Sequence, residues 1–149
     1  PGKLYLPVIS SLVYHHNSVN VEAQMAHSSS LLHWVREMLA IRANYPVFGL
    51  GDFVMREADN DSVLAFTRTI DPDDDADNQI DVRTVLCLNN LSSSPQSVTV
   101  QLPPEFAGAR LRDLFGGAHF PAVADDGKST FTLGSRDFFW LSVRPDESK

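Results

Sequence analysis

Residues 28–53 read SSSLLHWVREMLAIRANYPVFGLGDF, and this stretch decides what kind of fold follows. Leu31, Val35, Met38, Leu39 and Arg42 recur at i, i+4, i+7, i+8 and i+11, the spacing of one face of an α-helix. Leu32, Trp34 and Ile41 widen the apolar surface beyond a narrow stripe, while His33, Arg36 and Glu37 supply the polar side. Such breadth predicts a helix more deeply buried than a typical surface helix. One of the serines at 28–30 supplies the N-cap, because a hydroxyl there can accept from an otherwise orphaned amide of the first turn. Pro46 biases Tyr45 out of the α region, so the helix is expected to end near Asn44. Gly49 and Gly51 then supply the turn into the next element.

Everything after residue 50 reads as β. Phe53-Val54-Met55-Arg56 forms a first strand and 63–70 a second. The third, 84–88, has enough consecutive apolar residues to be central in a sheet. Residues 97–102, SVTVQL, alternate strictly, so one face is buried and the other wet. Residues 110–115 make a fifth strand, closed by the Gly116-Gly117 turn, and 130–133 and 138–143 complete the set. About seven short antiparallel strands in about a hundred residues predict a β-sandwich. The polar tail after Arg144 is expected to fray.

Residues 1–27 show no clean period. Pro7 interrupts the apolar run Leu4-Tyr5-Leu6-Pro7-Val8-Ile9 and argues against a central strand. The segment reads as a long irregular loop, or as part of a larger fold whose other part is absent, and long loops are often functional. The chain opens on Pro1 rather than Met, and no targeting segment is recognisable.

Bulk properties exclude several classes. At 43% hydrophobic and 21% charged, the 149 residues are globular material with enough length for a real core. No apolar run approaches a membrane span. A net charge of −7 argues against a nucleic-acid partner, since no basic patch neutralises phosphates, and fits a soluble cytoplasmic protein. Cys87 stands alone, which excludes an internal disulfide and fits a reducing compartment; within Val85-Leu86-Cys87-Leu88 it reads as a buried, inert thiol.

Several residues tempt a stronger reading. Asp73, Asp75, Asp77 and Asp81 occupy positions 1, 3, 5 and 9 of an EF-hand-like loop. Asn78 replaces the required glycine and Thr84 the bidentate glutamate, so residues 71–81 read as a solvated acidic hairpin loop rather than a tight Ca2+ site. His15, His16 and His27 lack a second cluster with metal-ligand spacing, and no metal or cofactor site is assigned. Trp34 and Trp140 could be sugar-stacking platforms, but their apolar helix and closing strand favour core packing. Gly49-Leu50-Gly51 and Gly116-Gly117 are not followed by the Lys-Ser/Thr of a phosphate cradle.

One string carries a family likeness. Val19-Asn20-Val21-Glu22-Ala23-Gln24, followed by Ser29-Ser30-Leu31-Leu32-His33-Trp34, resembles the C-terminal part of bacterial trehalose synthases, maltose α-D-glucosyltransferases of the α-amylase family. Leu4 to Ile9 resembles the segment that precedes this string there. Met38-Leu39-Ala40-Ile41-Arg42 with Tyr45-Pro46 is similar to the last helix of the (β/α)8 barrel. Val85-Leu86-Cys87-Leu88-Asn89-Asn90-Leu91-Ser92, Leu111-Arg112-Asp113-Leu114-Phe115-Gly116-Gly117 and Phe138-Phe139-Trp140-Leu141 resemble strands of the α-amylase-type C-terminal β domain. The likeness covers nearly the whole chain. It departs at residues 11–17, SLVYHHN in place of an Asp-Pro-Val-Tyr-Gly-Tyr-Gln type, and at Ser135-Arg136-Asp137 in place of Pro-Tyr-Gly.

The resemblance implies a barrel remnant at 1–48, its last loop and helix, and a C-terminal β-sandwich domain at 49–149. It implies a parent enzyme that isomerises maltose to trehalose by a retaining double displacement. The family carries the Asp nucleophile, the Glu acid/base and the supporting Asp upstream of the segment matched here. No position in this chain matches their motifs, so no catalytic residue is assigned and the isolated chain is expected to be inactive. Tyr14, His15, His16 and Asn17, near the implied barrel rim, are the candidate sugar-contacting residues; exposed loop histidines are the plain alternative. The implied partners are the catalytic barrel of the same polypeptide, maltose or trehalose, and a second copy of the protein. The rival function is a free-standing carbohydrate-binding or subunit-contact β module, which has no use for an apolar helix preceded by irregular loop.

Overall fold

The computed structural model describes residues 5–6, 11, 13–71, 73 and 80–145. The chain divides into two compact units, residues 1–43 and 44–149. The acidic positions Asp75 and Asp77, with Asn78, lie outside the described residues.

In the first unit, part of the expected irregular loop is helical: α1 spans Val21–Ala26. Asn20 caps it, its side chain accepting the Ala23 N–H at 2.7 Å. Six residues with no buried side chain give no apolar period, so α1 is held by its caps rather than by a core face. Helix α2 spans Leu31–Asn44, ending where Tyr45-Pro46 predicts. Among the three serines, Ser30 is the N-cap: its hydroxyl accepts from His33 N at 3.4 Å and donates to the Gln24 carbonyl at 2.6 Å. The Gln24 side chain accepts a second first-turn amide, Leu32 N, at 3.1 Å. The His33 ring reaches the Met25 carbonyl at 3.1 Å. A corner of two helices is thus fastened by polar side chains.

The deep burial expected of α2 is not seen. Ile41 is its one buried residue; Leu31, Val35 and Leu39 are exposed, and Trp34 is 44% exposed. The periodicity correctly marked a helix, but an apolar stripe is buried only where something covers it.

In the second unit, α3 is a single helical turn, Val47–Leu50, which takes in Gly49 where a plain turn was expected. Gly51 follows it as a close approach: a Cβ there would stand 2.8 Å from the Val47 carbonyl oxygen and 2.9 Å from Thr69 N. Among the described residues eight strands follow: β1 Asp52–Met55, β2 Val63–Thr69, β3 Thr84–Asn90, β4 Gln96–Gln101, β5 Arg110–Asp113, β6 His119–Phe120, β7 Lys128–Leu133 and β8 Phe138–Arg144. All pairings are antiparallel. Six strands form one sheet, in the order β1-β2-β3-β8-β5-β6, and β4 and β7 form the other. The fifth strand stops at Asp113, because its carboxylate accepts the Gly116 N–H at 2.6 Å and starts the turn into β6. Strand β6 and the 3-10 turn Pro104–Phe106 are too short to leave a sequence period.

Alternation builds the core. Val63 and Ala65 on β2, Leu86 and Leu88 on β3, and Leu141 and Val143 on β8 meet Val98 and Val100 on β4 and Phe131 and Leu133 on β7. This is the predicted antiparallel β-sandwich. Strand β3 is central and buried on both faces, as its apolar run predicts, and Cys87 is buried on it. On the side of the large sheet away from the core, Cys87 pairs across strands with Trp140. There α3 lays Val47 and Phe48 down, and Phe48 and Trp140 lie 4.6 Å apart, centroid to centroid.

Asn90 ends β3 and ties two turns together. Its amide donates to the Ser94 carbonyl at 2.8 Å and the Gly134 carbonyl at 2.7 Å. Its Oδ1 accepts from Ser92 N and Ser92 Oγ, both at 2.9 Å. A buried amide is stable only when satisfied in this way.

Candidate functional site

His15, His16 and Asn17 lie in a tight turn leading towards α1, and Tyr14 directly precedes it. Ser18 N and Val19 N both donate to the His15 carbonyl, at 2.8 and 2.9 Å. His15 Nδ1 accepts the Asn17 N–H at 3.1 Å, which leaves the ring proton on Nε2. The two histidine rings lie 4.1 Å apart, and Asn20 Nδ2 bridges the His16 and Asn17 carbonyls. Tyr14, His16 and Asn17 are exposed. The segment therefore presents the Tyr14 phenol and the His16 imidazole to solvent, with His15 half-buried beside them and holding the turn. His27 is separate, its Nδ1 engaged with the Ala23 carbonyl at 2.8 Å at the end of α1.

The two tryptophans diverge. Trp140 is 8% exposed, with Phe48, Phe115 and Phe138 around it at 4.6, 5.2 and 6.0 Å, so it packs as expected. Trp34 is not buried in this chain. Of the acidic series, Asp73 and Asp81 are described, and Asp81 forms an ion pair with Arg144.

The β unit carries polar concavities that no local motif announces. One, about 570 Å3, lies where Ala58 bridges to Val100 and is lined by Glu57, Asp59, Thr99, Gln101 and Lys128. Nearby Arg56 donates from Nε to Thr67 Oγ1 at 2.9 Å. Burial lowers its pKa and the Glu105 charge opposes that; an arginine stays a cation all the same. Elsewhere two cavities of about 250 and 350 Å3 share Tyr45 and Val82 as lining. Arg112, Asp113 and Arg144 line the smaller and Asp81 the larger. These side chains come from separate parts of the chain, so no spacing rule could have grouped them; only the sheet register does.

Residues 53–140 match the family described as Maltogenic Amylase, C-terminal domain. Across 96% of its length the chain is 43% identical to the trehalose synthase of Pimelobacter sp. (strain R48), of which it covers 24%. It is 40% identical across 98% of its length to the trehalose synthase/amylase TreS of Mycolicibacterium smegmatis, again covering 24%. The chain thus spans about a quarter of the length of these curated relatives. Among solved structures it resembles an Anoxybacillus α-amylase, with TM-score 0.59 and 24% identity over 80% of this chain and 23% of that one. It also resembles the maltogenic α-amylase AmyB of Thermotoga neapolitana, with TM-score 0.63 and 16% identity over 80% of this chain and 27% of that one. At these identities the two structures share the fold alone.

Proposed function

The chain belongs to the Maltogenic Amylase, C-terminal domain family, and from that premise we propose that it is the C-terminal part of a trehalose-synthase-like polypeptide that isomerises maltose to trehalose by retaining intramolecular transglucosylation. The observation that carries this reading is the near-complete match of the chain to about a quarter of each trehalose synthase. Retaining chemistry needs two carboxyl groups about 5–5.5 Å apart on either side of the scissile bond. In this reading they belong to the remaining three-quarters of the polypeptide, and the present chain supplies no catalytic group and no cofactor. Its work is structural, with Tyr14, His15, His16 and Asn17 as candidate sugar contacts at the rim of the catalytic barrel. Among the described residues no helix is long and apolar enough to cross a membrane. With its single thiol buried, the chain suits a reducing cytoplasm.

Exposed apolar surface supports a larger covering partner. On α2, Leu31, Trp34, Val35 and Leu39 are exposed; on the β unit, Leu50, Phe53 and Met55 are. Phe53 pairs across strands with Arg68, whose Nε is buried with no hydrogen-bond partner among the described residues. In the assembled enzyme an acceptor from the rest of the polypeptide would satisfy it.

The activity test is a chimera in which this chain replaces the matching quarter of the Pimelobacter enzyme. The chimera should form trehalose from maltose, and the purified chain alone should form none. Trehalose from the chain alone, or an inert chimera with parent-like circular dichroism and melting, would overturn the reading.

Left on its own, the chain is expected to pair through the α2 strip, a two-fold contact being the commonest closed solution. Sedimentation velocity at high micromolar concentration should show a dimer, and Leu31→Glu with Leu39→Glu should return it to monomer. A wild-type monomer under those conditions would rule out self-association through this strip.

A further inference from the structure

The two cavities that meet at Tyr45 have a lining suited to one class of ligand. Tyr45 is common to both, and Phe115 adds a second aromatic wall to the smaller. A sugar ring offers an apolar C–H face for an aromatic side chain, and hydroxyls that need donors and acceptors at once. Arg112 and Arg144 supply forked donors, and Asp113 and Asp81 supply acceptors.

These groups are anchored, yet they keep capacity for a ligand. Arg112 Nε donates to the Gly117 carbonyl at 3.3 Å, which leaves the guanidinium's terminal amino groups as donors. Asp113 Oδ2 takes the Gly116 N–H, so among the described residues its Oδ1 stays an acceptor. Arg144 and Asp81 hold each other as an ion pair. Beneath them Ser142, 2% exposed, donates from Oγ to the Arg112 carbonyl at 3.2 Å and fixes the floor of β5 and β8. Arg112 and Arg144 are exposed, so the hydrogen bond to Gly117 and the ion pair with Asp81, rather than burial, set their geometry, and geometry held in advance lowers the ordering cost of binding.

Charge decides between ligand classes. The two arginines are balanced by the two aspartates, on a chain of net charge −7. An anion gains little from that balance and is repelled by the whole. A metal cation would meet two guanidiniums. A neutral polyhydroxylated ligand suits both signs.

We propose that the paired cavities around Tyr45 form a sugar-binding subsite for an α-glucosyl disaccharide, one pyranose ring in each cavity with Tyr45 as the shared wall. The choice of glucosyl units rests on the function proposed above; the fit to a neutral sugar rests on the cavities alone. The site would hold maltose or its product on the surface of the β unit.

The test is a titration of the 15N-labelled chain with maltose, followed by amide and arginine Nε resonances. Saturable shifts in the millimolar range are expected at Tyr45, Gly116, Gly117 and the Arg112 side chain. Arg112→Leu should weaken binding about tenfold, as for loss of a charge-assisted donor. Arg144→Gln provides an independent second loss if the first variant fails to fold. Three outcomes would each overturn the proposal: no saturable shift, unchanged binding in the folded variants, or equal shifts with sorbitol, an acyclic polyol with no ring to lie on Tyr45. The chimera reads trehalose formation and this titration reads binding to the chain alone, so either reading can fail without the other.

Discussion

Trp140→Ala is expected to destabilise the β unit by about 3–5 kcal/mol, the range for a buried tryptophan truncated in a packed core. Trp140 sits on β8 against Cys87 and is 8% exposed. Its indole lies 4.6 Å from Phe48, 5.2 Å from Phe115 and 6.0 Å from Phe138. Truncation therefore removes the hub of an aromatic cluster that nothing nearby can refill, and each lost ring pair adds about 0.5–1.5 kcal/mol to the loss of burial. It also uncovers Phe48, which together with Val47 seats α3 on the sheet. Against a total stability of about 5–15 kcal/mol, such a loss leaves a barely folded unit. Urea unfolding followed by circular dichroism reads it directly. Trp34→Ala is the internal contrast: at 44% exposure it should cost well under half as much. Equal losses for the two tryptophans would mean that Trp34 is buried in solution, by self-association or otherwise.

The divergence of the two tryptophans shows what the sequence could carry. Both stand in apolar segments, and both read as core residues. Strand β8 has neighbours on both edges within the same unit, so its prediction held. Helix α2 has a correct period, a correct Ser30 cap within the serine cluster and a correct stop at Asn44, but its burial depends on a covering surface that no local pattern specifies. Strands were legible wherever a sheet buries one face, as in β4, or both, as in β3. What escaped was held by something other than period: α1 by capping side chains, α3 by a turn of helix between Pro46 and Gly51, and β6 by two residues of pairing.

The strings that carry the family resemblance also gain a physical meaning. Asn20, Gln24, Ser30 and His33 are the donors and acceptors that fasten the α1–α2 corner. Asn90, within the apolar strand motif, satisfies two turns at once. The candidate segment Tyr14 to Asn17 was reachable from the resemblance because it is contiguous. The Tyr45 cavities were not, because Arg112 and Arg144 come together only through the pairing of β5 with β8.

Gly127→Ala is expected to cost about 2–5 kcal/mol, a large effect for adding one methyl group, and two terms combine to give it. Gly127 has φ +79°, where an L-residue is disfavoured by about 1–2 kcal/mol. The residue is buried at the start of β7, and its carbonyl accepts the Leu102 N–H at 2.9 Å. A Cβ there would collide with the Leu102 carbonyl oxygen and come within 2.5 Å of Gln101 Nε2. The Gln101 side chain could swing away only by giving up its bonds to the Leu102 and Asp126 carbonyls, at 3.0 and 2.9 Å. The backbone oxygen cannot move without disturbing the end of β4, and overpacking of this kind adds about 1–3 kcal/mol. Gly108 separates the two terms. It has φ +77° but nothing within 4 Å of its would-be Cβ, so Gly108→Ala should show the backbone term alone, about 1–2 kcal/mol. Gly49, inside α3 and equally open, should tolerate alanine or gain slightly from it, since alanine favours helix over glycine by about 1 kcal/mol. The expected order of urea midpoints is therefore Gly49→Ala highest, Gly108→Ala next and Gly127→Ala lowest. If Gly108→Ala and Gly127→Ala fall together, the collision with Leu102 contributes nothing and the turn relaxes around the added methyl.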